Sequence, residues 1–415
     1  MTKTTPHSTS KTINSRRYDI DWLRTLAFIL LIFYHIGQFY VADWGWHVKS
    51  AYLSDFLKNI MLLVNQWRMP LIFLISGIAL SLVEVKLNRS KLFKVRFTRV
   101  ILPLVFGTFL IVPPQVYYEL VQSEGYSSSY FEFLKLYLDT NNHQYAEHQL
   151  LTSRTGFSLG LITYNHLWYL LYLFTYTLVY MVIKPLLIKV KWQQITKKIT
   201  ETYILAIPFI LVFLYDFILL EYFPDDTFVL IGDWYNHALY FTMLLLGYAL
   251  AKSPTVWQTL INNRKTWLVL AIISYVLVVI RFNRAWGFDI DYNTASVLTQ
   301  VLITALWSAN KVLWLLTILG FAGAYLNKKH PALTYMNDAV LPWYILHQTV
   351  IIIFAIWLAK FELGPVFEPI LLILCTFVGC AIGYEVIKRF IVTRFIFGLK
   401  IETTALATTE IEHAK

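Results

Sequence analysis

An arginine and a histidine stand eleven positions apart in one apolar segment, YDIDWLRTLAFILLIFYHIGQFY, which begins at Tyr18. In a helix, Arg24 and His35 are separated by about three turns and roughly 16 Å, so both project from one face. A guanidinium binds phosphate or carboxylate in a bidentate way, and a neutral imidazole takes a proton from an attacking hydroxyl near neutral pH. Asp21 is placed to pair with Arg24. The spacing therefore predicts a donor-binding group at one depth and a base at another, while the alternative for His35 is a packing histidine.

Further polar residues interrupt other apolar segments. Arg68 precedes the run MPLIFLISG, His166 and Trp168 lie in NHLWYL, and His347 lies in LPWYILHQ. Ionisable groups at membrane depth are costly and suggest functional sites, which makes these four residues candidates for binding a substrate or donor. The alternatives are an interfacial position for His166 and an interhelical hydrogen bond for His347.

Several other chemistries lack their sequence signals. The chain has no G-x-S-x-G elbow, no H-E-x-x-H motif and no Walker phosphate loop, and its histidines do not fall at metal-ligand spacing, so no metal site is predicted. Ser76 in LISG could serve as a nucleophile, but a small pair in a membrane helix more often permits close packing. Cys375 and Cys380 are expected to be buried small hydrophobes rather than a disulfide or a metal site.

The elements that position these residues are predicted to be membrane-spanning helices. Of the 415 residues, 57% are hydrophobic and 14% are charged, against about a quarter charged in a soluble domain. Single soluble cores stop growing at roughly 250–300 residues, whereas lipid removes that limit. Segments long enough to cross a bilayer, at roughly 20 residues each, are 18–41, 56–83, 98–118, 166–188, 202–222, 234–251, 266–282, 295–326, 338–359 and 367–397.

The charges of the connecting segments alternate. Basic residues fill one set of connections, including the stretch before the first helix, and acidic residues fill the opposite set. The positive-inside rule then predicts an all-α polytopic membrane protein with about ten transmembrane helices and both termini cytoplasmic. The net charge of +10 is assigned to this asymmetry rather than to nucleic-acid binding. Segment 295–326, with Asn310 and Lys311 in its middle, is either one tilted helix or a broken pair.

The chain divides into three predicted parts: a basic cytoplasmic tail over 1–17, a transmembrane domain over 18–398 and a polar cytoplasmic tail over 399–415. The first apolar run is expected to be retained, because it is long and lacks a small-residue cleavage site. One connection is long, the extracytoplasmic segment 119–165. Its tyrosines, acids and amides suit either a sugar-binding surface or a solvated loop.

Six segments taken in order resemble the acyltransferase-3 family of membrane proteins: YDIDWLR…YHIGQFY, WGWHVKS, RMPLIFLISG, KVRFTRVILP, NHLWYL and LPWYILHQ. The likeness covers residues 16–398, and Arg24 and His35 match the family's motif of Arg, ten residues and His. Within the family, the chain is most similar to the branch that modifies osmoregulated periplasmic glucans.

The resemblance implies a ten-helix protein of the bacterial inner membrane that moves an acyl group from cytoplasmic acyl-CoA to a hydroxyl of an extracytoplasmic glycan. The acyl group is acetyl or succinyl, acyl-CoA is a co-substrate, and no bound cofactor is expected. The resemblance makes His35 the base and Arg24 the donor-positioning group, while Arg68, His166 and His347 match other recurring polar positions. Direct transfer and an acyl-histidine intermediate both remain open.

Two other classes of protein are compatible with buried polar residues. A secondary transporter or flippase for a small solute or glycan would use the same His and Arg as coupling or binding groups. That alternative predicts inverted repeats, which the sequence does not display. A structural scaffold ranks last, because it gives no reason for Arg24 and His35 to align.

Overall fold

The computed structural model describes residues 16–84, 87–141, 145, 150, 156–199, 201–225 and 227–400. Most of these residues are helical. The helices are α1 Tyr18–Tyr40, α2 Phe56–Glu84, α3 Arg89–Arg96, α4 Leu102–Phe106, α5 Pro113–Ser123, α6 Tyr130–Leu138, α7 Trp168–Leu187, α8 Trp192–Thr196, α9 Glu201–Ile218, α10 Trp234–Ala251, α11 Pro254–Asn262, α12 Arg264–Phe282, α13 Val297–Tyr325, α14 Pro331–Ala359, α15 Gly364–Ile387 and α16 Ile391–Ile396. Strands β1 Gly156–Leu159 and β2 Ile162–Thr163 pair as an antiparallel hairpin before α7.

The prediction of an all-α polytopic membrane protein is confirmed. Eight helices in the described ranges are long and apolar enough to cross a membrane, and a ninth crossing arises if the bent pair Arg89–Ile111 and Pro113–Ser123 is one span. The remaining predicted segment, 234–251, is helix α10 with those bounds. It is not among the eight, and its first turn contains the polar residues Asn236 and His237. The sidedness of the termini stays a prediction.

Helix α10 is nevertheless built into the bundle, because two glycines let it approach α2 closely. A Cβ atom at Gly77 would lie 1.9 Å from the carbonyl oxygen of Leu244, and one at Gly247 would lie 2.0 Å from that of Leu74. Neither position has room for a side chain, so the backbones of the two helices are in contact. This confirms the packing interpretation of the small residues in LISG.

Prolines shape the third span. Between Arg89 and Ile111 the helix is continuous but contains two wide π turns, Phe97–Ile101 and Gly107–Ile111. Pro103 and Pro113 have no N–H to donate, so regular bonding fails near both. After Ile111 the chain bends by 40° into α5, and this bend directs the first turn of α5 toward α14.

Helices α1 and α14 run side by side, and their C-terminal halves share an apolar core with α15. Ile36, Val48, Ile351 and Leu372 are buried in this core. The opposite face of α15 exposes apolar side chains, namely Phe367, Leu374, Val378 and Ile382. Such a face belongs against lipid rather than water.

Several predicted boundaries change. Segment 295–326 is one unbroken helix, α13, so the broken-pair alternative is wrong. Segment 367–397 is two helices, because the chain leaves α15 at the charged pair Lys388 and Arg389 and becomes extended at Phe390 before α16. The connection 119–165 carries the end of α5, all of α6 and the β hairpin. Residues 1–15 and 401–415 of the two predicted tails lie outside the described residues.

Candidate active site

His35 lies half-buried on α1 where this helix meets α14. Its Nδ1 is 3.0 Å from Nε2 of His347, and Nδ1 of His347 is 2.7 Å from the carbonyl oxygen of Tyr344. Because a carbonyl only accepts, neutral His347 carries its proton on Nδ1, and its Nε2 accepts the proton that His35 holds on Nδ1. The lone pair of neutral His35 is then on Nε2, to which no residue in the described ranges hydrogen-bonds.

Arg24 stands nearer the start of α1 and also faces α14. Its Nη2 donates to Oδ1 of Asn337 at 2.6 Å, so Arg24 and His35 share one face of α1, as their spacing predicts. Arg24 is also 3.6 Å from the carboxylate of Asp21, which confirms their predicted pairing. The shorter ion pair of Asp21, at 2.7 Å, is with Arg16.

An apolar groove runs between α1 and α14. It extends from the neighbourhood of Arg24 to the histidines His35 and His347. One end is at Thr25, beside Arg24, and the other is at His347. Its walls are almost entirely apolar, with Phe28 and Ile32 on one side and Trp343 among those on the other. We call it the α1–α14 groove. An extended ligand lying in this groove would reach from the neighbourhood of Arg24 to the histidines.

His166 lies beside His347, with ring centroids 5.1 Å apart and planes at 88°. Its Nε2 donates to the carbonyl oxygen of Ile345 at 3.1 Å, so its Nδ1 is the acceptor and receives the amide of Gln115 at 3.4 Å. The hydroxyl of Tyr344 donates to the backbone carbonyl of His166. Both ring nitrogens of His166 are therefore engaged, which suits a positioning group better than a second base.

Gln115 connects three parts of the chain around this histidine. Its amide nitrogen donates to Oγ1 of Thr349 at 2.7 Å, and its Oε1 accepts from Asn165 at 3.0 Å and from Gln348 at 3.1 Å. The side chain is fully buried at the first turn of α5. Because amide groups at this depth have no water to bond, each bond also fixes its partner.

Arg68 approaches His35 from α2 and lies within electrostatic range of it. Its guanidinium carbon lies 3.4 Å from the ring centroid of Tyr34, whose hydroxyl donates to Asn65 at 2.7 Å. The Nε and Nη1 atoms of Arg68 are buried and have no partner in the described part of the chain. Such a cation is suited to an incoming anion or a developing oxyanion.

Trp168 and Ser76 are packed by their neighbours. The indole of Trp168 stacks on Phe228, with ring centroids 4.2 Å apart and planes at 11°, and the residue is 7% exposed. The hydroxyl of Ser76 is 2.7 Å from that of Tyr169 and donates to the carbonyl of Ile72 at 2.8 Å. A role for Trp168 in substrate binding stays a prediction.

The connection between α1 and α2 folds over the C-terminal end of α1. The ammonium of Lys49 donates to the carbonyls of Gln38 and Trp44 at 2.7 and 3.0 Å and caps the helix. Burial lowers the pKa of Lys49 to about 8. Two residues earlier, Nδ1 of His47 donates to the carboxylate of Glu119 on α5, and both side chains are almost fully buried.

Sequence reasoning missed four polar residues at this site: Asn337, Gln115, His47 and Glu119. Two had readable signals. Asn337 precedes His347 by ten positions, which nearly repeats the Arg24 and His35 spacing on a second helix. Gln115 is an amide directly after two prolines in an apolar segment. His47 lies in the segment WGWHVKS that carries part of the family resemblance, but nothing in the sequence indicated its pairing with Glu119, because both residues were placed in connections between helices.

The fold defines a multi-pass membrane protein, and three histidines, His35, His166 and His347, lie together between its helices. In the described residues, no three His, Cys, Asp or Glu side chains converge as metal ligands. The Acyltransferase domain model of the acyltransferase-3 family matches residues 17–385. The chain belongs to this family and is a membrane acyltransferase that transfers groups other than aminoacyl groups.

The chain is also similar to proteins named Glucans biosynthesis protein C. The one from Escherichia coli strain K12 is 25% identical over 393 residues, covering 93% of this chain and 95% of the relative. The one from Escherichia coli O17:K52:H18 is 26% identical over 398 residues, with the same coverage. No solved structure matches the chain.

Proposed function

We propose that this protein transfers an acyl group from cytoplasmic acyl-CoA to a hydroxyl of an extracytoplasmic glycan, with His35 as general base. The observation that carries the proposal is the fixed tautomer of His35. Its Nδ1–H is held by Nε2 of His347 at 3.0 Å, and its Nε2 lone pair is left for a substrate. A base needs both an orienting partner and an unoccupied basic atom.

The donor binds from the side of Arg24 in this proposal. The guanidinium would hold a phosphate of the donor, with Asp21 and Asn337 fixing its orientation. The thioester arm would then lie in the α1–α14 groove, which reaches His347. The Nε and Nη1 atoms of Arg68 have no partner among the described residues, and in this proposal Arg68 would stabilise the oxygen of the thioester carbonyl as negative charge develops on it.

The chemistry balances without a cofactor. Nε2 of His35 takes the proton of the acceptor hydroxyl as its oxygen attacks the thioester carbon. The carbon–sulfur bond then breaks, and the departing thiolate takes the proton back from His35. The products are an ester and free CoA, acetyl or succinyl being the acyl group, and no net proton is consumed. His347 and His166 position the base and Trp168 contributes to the acceptor side in this proposal.

The acceptor and the location rest on the relatives and on charge. The similar proteins are named for glucan biosynthesis, and a glycan supplies the hydroxyl that the mechanism requires. Basic connections on the Arg24 side and acidic ones on the His166 side support a bacterial inner membrane with the donor in the cytoplasm.

The test uses inside-out membrane vesicles that contain the full chain, labelled acyl-CoA outside and a gluco-oligosaccharide inside. We expect labelled oligosaccharide with the wild type and none with His35→Ala, while His330→Ala, which changes an exposed histidine, stays active. Oligosaccharide crossing the membrane without acylation would instead favour the transporter. Label retained on purified wild-type protein after donor alone would favour the acyl-histidine route over direct transfer.

A further inference from the structure

A histidine–carboxylate pair, His47 and Glu119, lies one helical turn beyond the histidines of the candidate active site. Gln115 and Glu119 are four residues apart on α5 and therefore lie on the same face. Gln115 is hydrogen-bonded to His166. Glu119 lies one turn closer to the predicted extracytoplasmic side and is hydrogen-bonded to His47. His47 lies within electrostatic range of both His35 and His166.

The orientation of the His47 ring is fixed. The carboxylate of Glu119 accepts from Nδ1, so neutral His47 has its lone pair on Nε2. No residue in the described ranges hydrogen-bonds to this Nε2. His47 is 5% exposed and Glu119 is 3% exposed. The pair therefore lies in the protein interior and is not a contact at its surface.

The segment that carries His47 is anchored independently of this pair. The side chain of Gln122 accepts from the backbone N–H of Lys49 at 2.7 Å and donates to its carbonyl at 3.0 Å. The hydroxyl of Ser50 donates to Glu368 on α15 at 2.9 Å. Because these bonds already hold the segment against α5 and α15, the buried His47–Glu119 pair is not needed merely to close it.

We propose that His47, oriented by Glu119, binds the acceptor. Its Nε2 accepts a hydrogen bond from a hydroxyl that neighbours the reacting hydroxyl on the same sugar. The inference rests on the proposed function, and it adds a substrate class: the acceptor is a polyol with two adjacent hydroxyls, one for His35 and one for His47. Glu119 is a positioning residue that sets the tautomer of His47.

Two substitutions separate acceptor binding from a structural role. In His47→Asn, the side-chain amide nitrogen is as many bonds from Cβ as Nδ1, so the bond to Glu119 is retained and the Nε2 acceptor is lost. In His47→Gln, the amide oxygen reaches the Nε2 position, so an acceptor is retained there and the Nδ1 donor is lost. Acceptor binding predicts that His47→Asn is the defective variant, whereas loop anchoring predicts that His47→Gln is.

The experiment measures transfer from labelled acetyl-CoA and from labelled succinyl-CoA to a gluco-oligosaccharide and to its monodeoxy analogues. For the wild type, we expect one deoxy position next to the acylated hydroxyl to lower kcat/KM about tenfold, the value of one hydrogen bond. His47→Asn should raise the acceptor KM about tenfold, leave the donor KM unchanged and lose the discrimination between parent and deoxy acceptor. His47→Gln should keep most of that discrimination, and Gln122→Ala should keep all of it.

Three results would overturn the inference. One is a wild type that transfers the acyl group but treats every deoxy analogue like the parent. Another is a His47→Asn protein with the wild-type acceptor KM, and the third is a larger defect in His47→Gln than in His47→Asn. If the wild type transfers nothing from either donor, the proposed function itself fails, and the acceptor role fails with it.

Discussion

Two buried polar clusters of this protein differ in how completely their hydrogen bonds are satisfied. In the cluster around Lys311 on α13, the ammonium donates to both oxygens of Asp216 at 2.9 and 3.2 Å and to the hydroxyl of Tyr235 at 3.1 Å. Asp216 also accepts from Tyr235 and Ser308, each at 2.7 Å. The ion pair and its partners therefore form a closed set that ties α9, α10 and α13 together.

The cluster around His35 is open by comparison. Nε2 of His35 has no hydrogen-bond partner in the described residues, and the buried Nε atoms of Arg24 and Arg68 have none either. Leaving such atoms unbonded inside a membrane protein costs free energy that packing elsewhere must offset. Under the proposed function, the difference is that the Lys311 cluster only joins helices, whereas the open atoms of His35, Arg24 and Arg68 are ones that a substrate would complete.

Removal of the base should have the largest effect on activity. His35→Ala is expected to lower kcat by about 10²–10⁴-fold, the usual contribution of a general base. The thermal unfolding midpoint of the purified protein should fall only a little, because the substitution removes one side-chain hydrogen bond, the 3.0 Å bond to His347. Wild-type rates in His35→Ala would refute the assignment of the base.

The closed cluster should respond in the opposite way. Lys311→Met leaves the buried Asp216 carboxylate without its cation and is expected to destabilise the fold by about 3–5 kcal/mol. Lys311→Met combined with Asp216→Asn should recover much of this loss, since no unpaired charge remains. Thermal unfolding in detergent measures both variants, and equal stability of the single and double variants would contradict the closed-pair interpretation.

The orienting histidine should matter less than the base that it holds. His347→Phe removes the acceptor for Nδ1–H of His35 and is expected to lower kcat about 10–100-fold, as loss of an orienting partner commonly does. His347→Gln offers an amide oxygen in its place and should lie between this variant and the wild type. Identical rates for both variants would show that the hydrogen bond does not orient His35.

The guanidinium of Arg68 should contribute little to the stability of the fold. Arg68→Met removes a guanidinium whose Nε and Nη1 have no partner in the part of the chain that the structure describes, and it also removes one cation–π contact with Tyr34. The expected change in stability is below about 1 kcal/mol, while kcat falls about tenfold if the charge stabilises an oxyanion. If Arg68→Met destabilised the protein as much as Lys311→Met does, Arg68 would have a structural role like that of Lys311.

The smallest expected effect on activity is at Arg24 and Asn337, where the donor is proposed to bind. Asn337→Ala removes one hydrogen bond to Arg24 and should raise the KM for acyl-CoA about threefold to tenfold, without changing kcat or the KM for the acceptor. Steady-state kinetics with each substrate varied in turn measure this. A change confined to the acceptor KM would place donor binding elsewhere.

Much of the architecture could be predicted because helix periodicity and lipid constrain local sequence strongly. Seven of the ten predicted spans coincide with single helices to within about four residues at each end. Span 338–359 begins seven residues after the start of α14, 98–118 lies inside the bent α3–α5 segment, and 367–397 divides in two. The division of 367–397 has a physical reason, since Lys388 and Arg389 carry charge to the membrane surface and end α15 there. The interior of 119–165 was less predictable, because short helices such as α6 carry too few residues for a clear period.

Sequence alone determined that Arg24 and His35 share one face of α1, because eleven residues return a helix to nearly the same angle wherever that helix lies. Only the tertiary structure decided what that face meets. The partner of His35 is 312 positions away in the chain, and that of Arg24 is 313 positions away. Which nitrogen of His35 is basic follows from those long-range bonds, and no local pattern encodes them, since a tautomer is set by the neighbour that folding brings into contact.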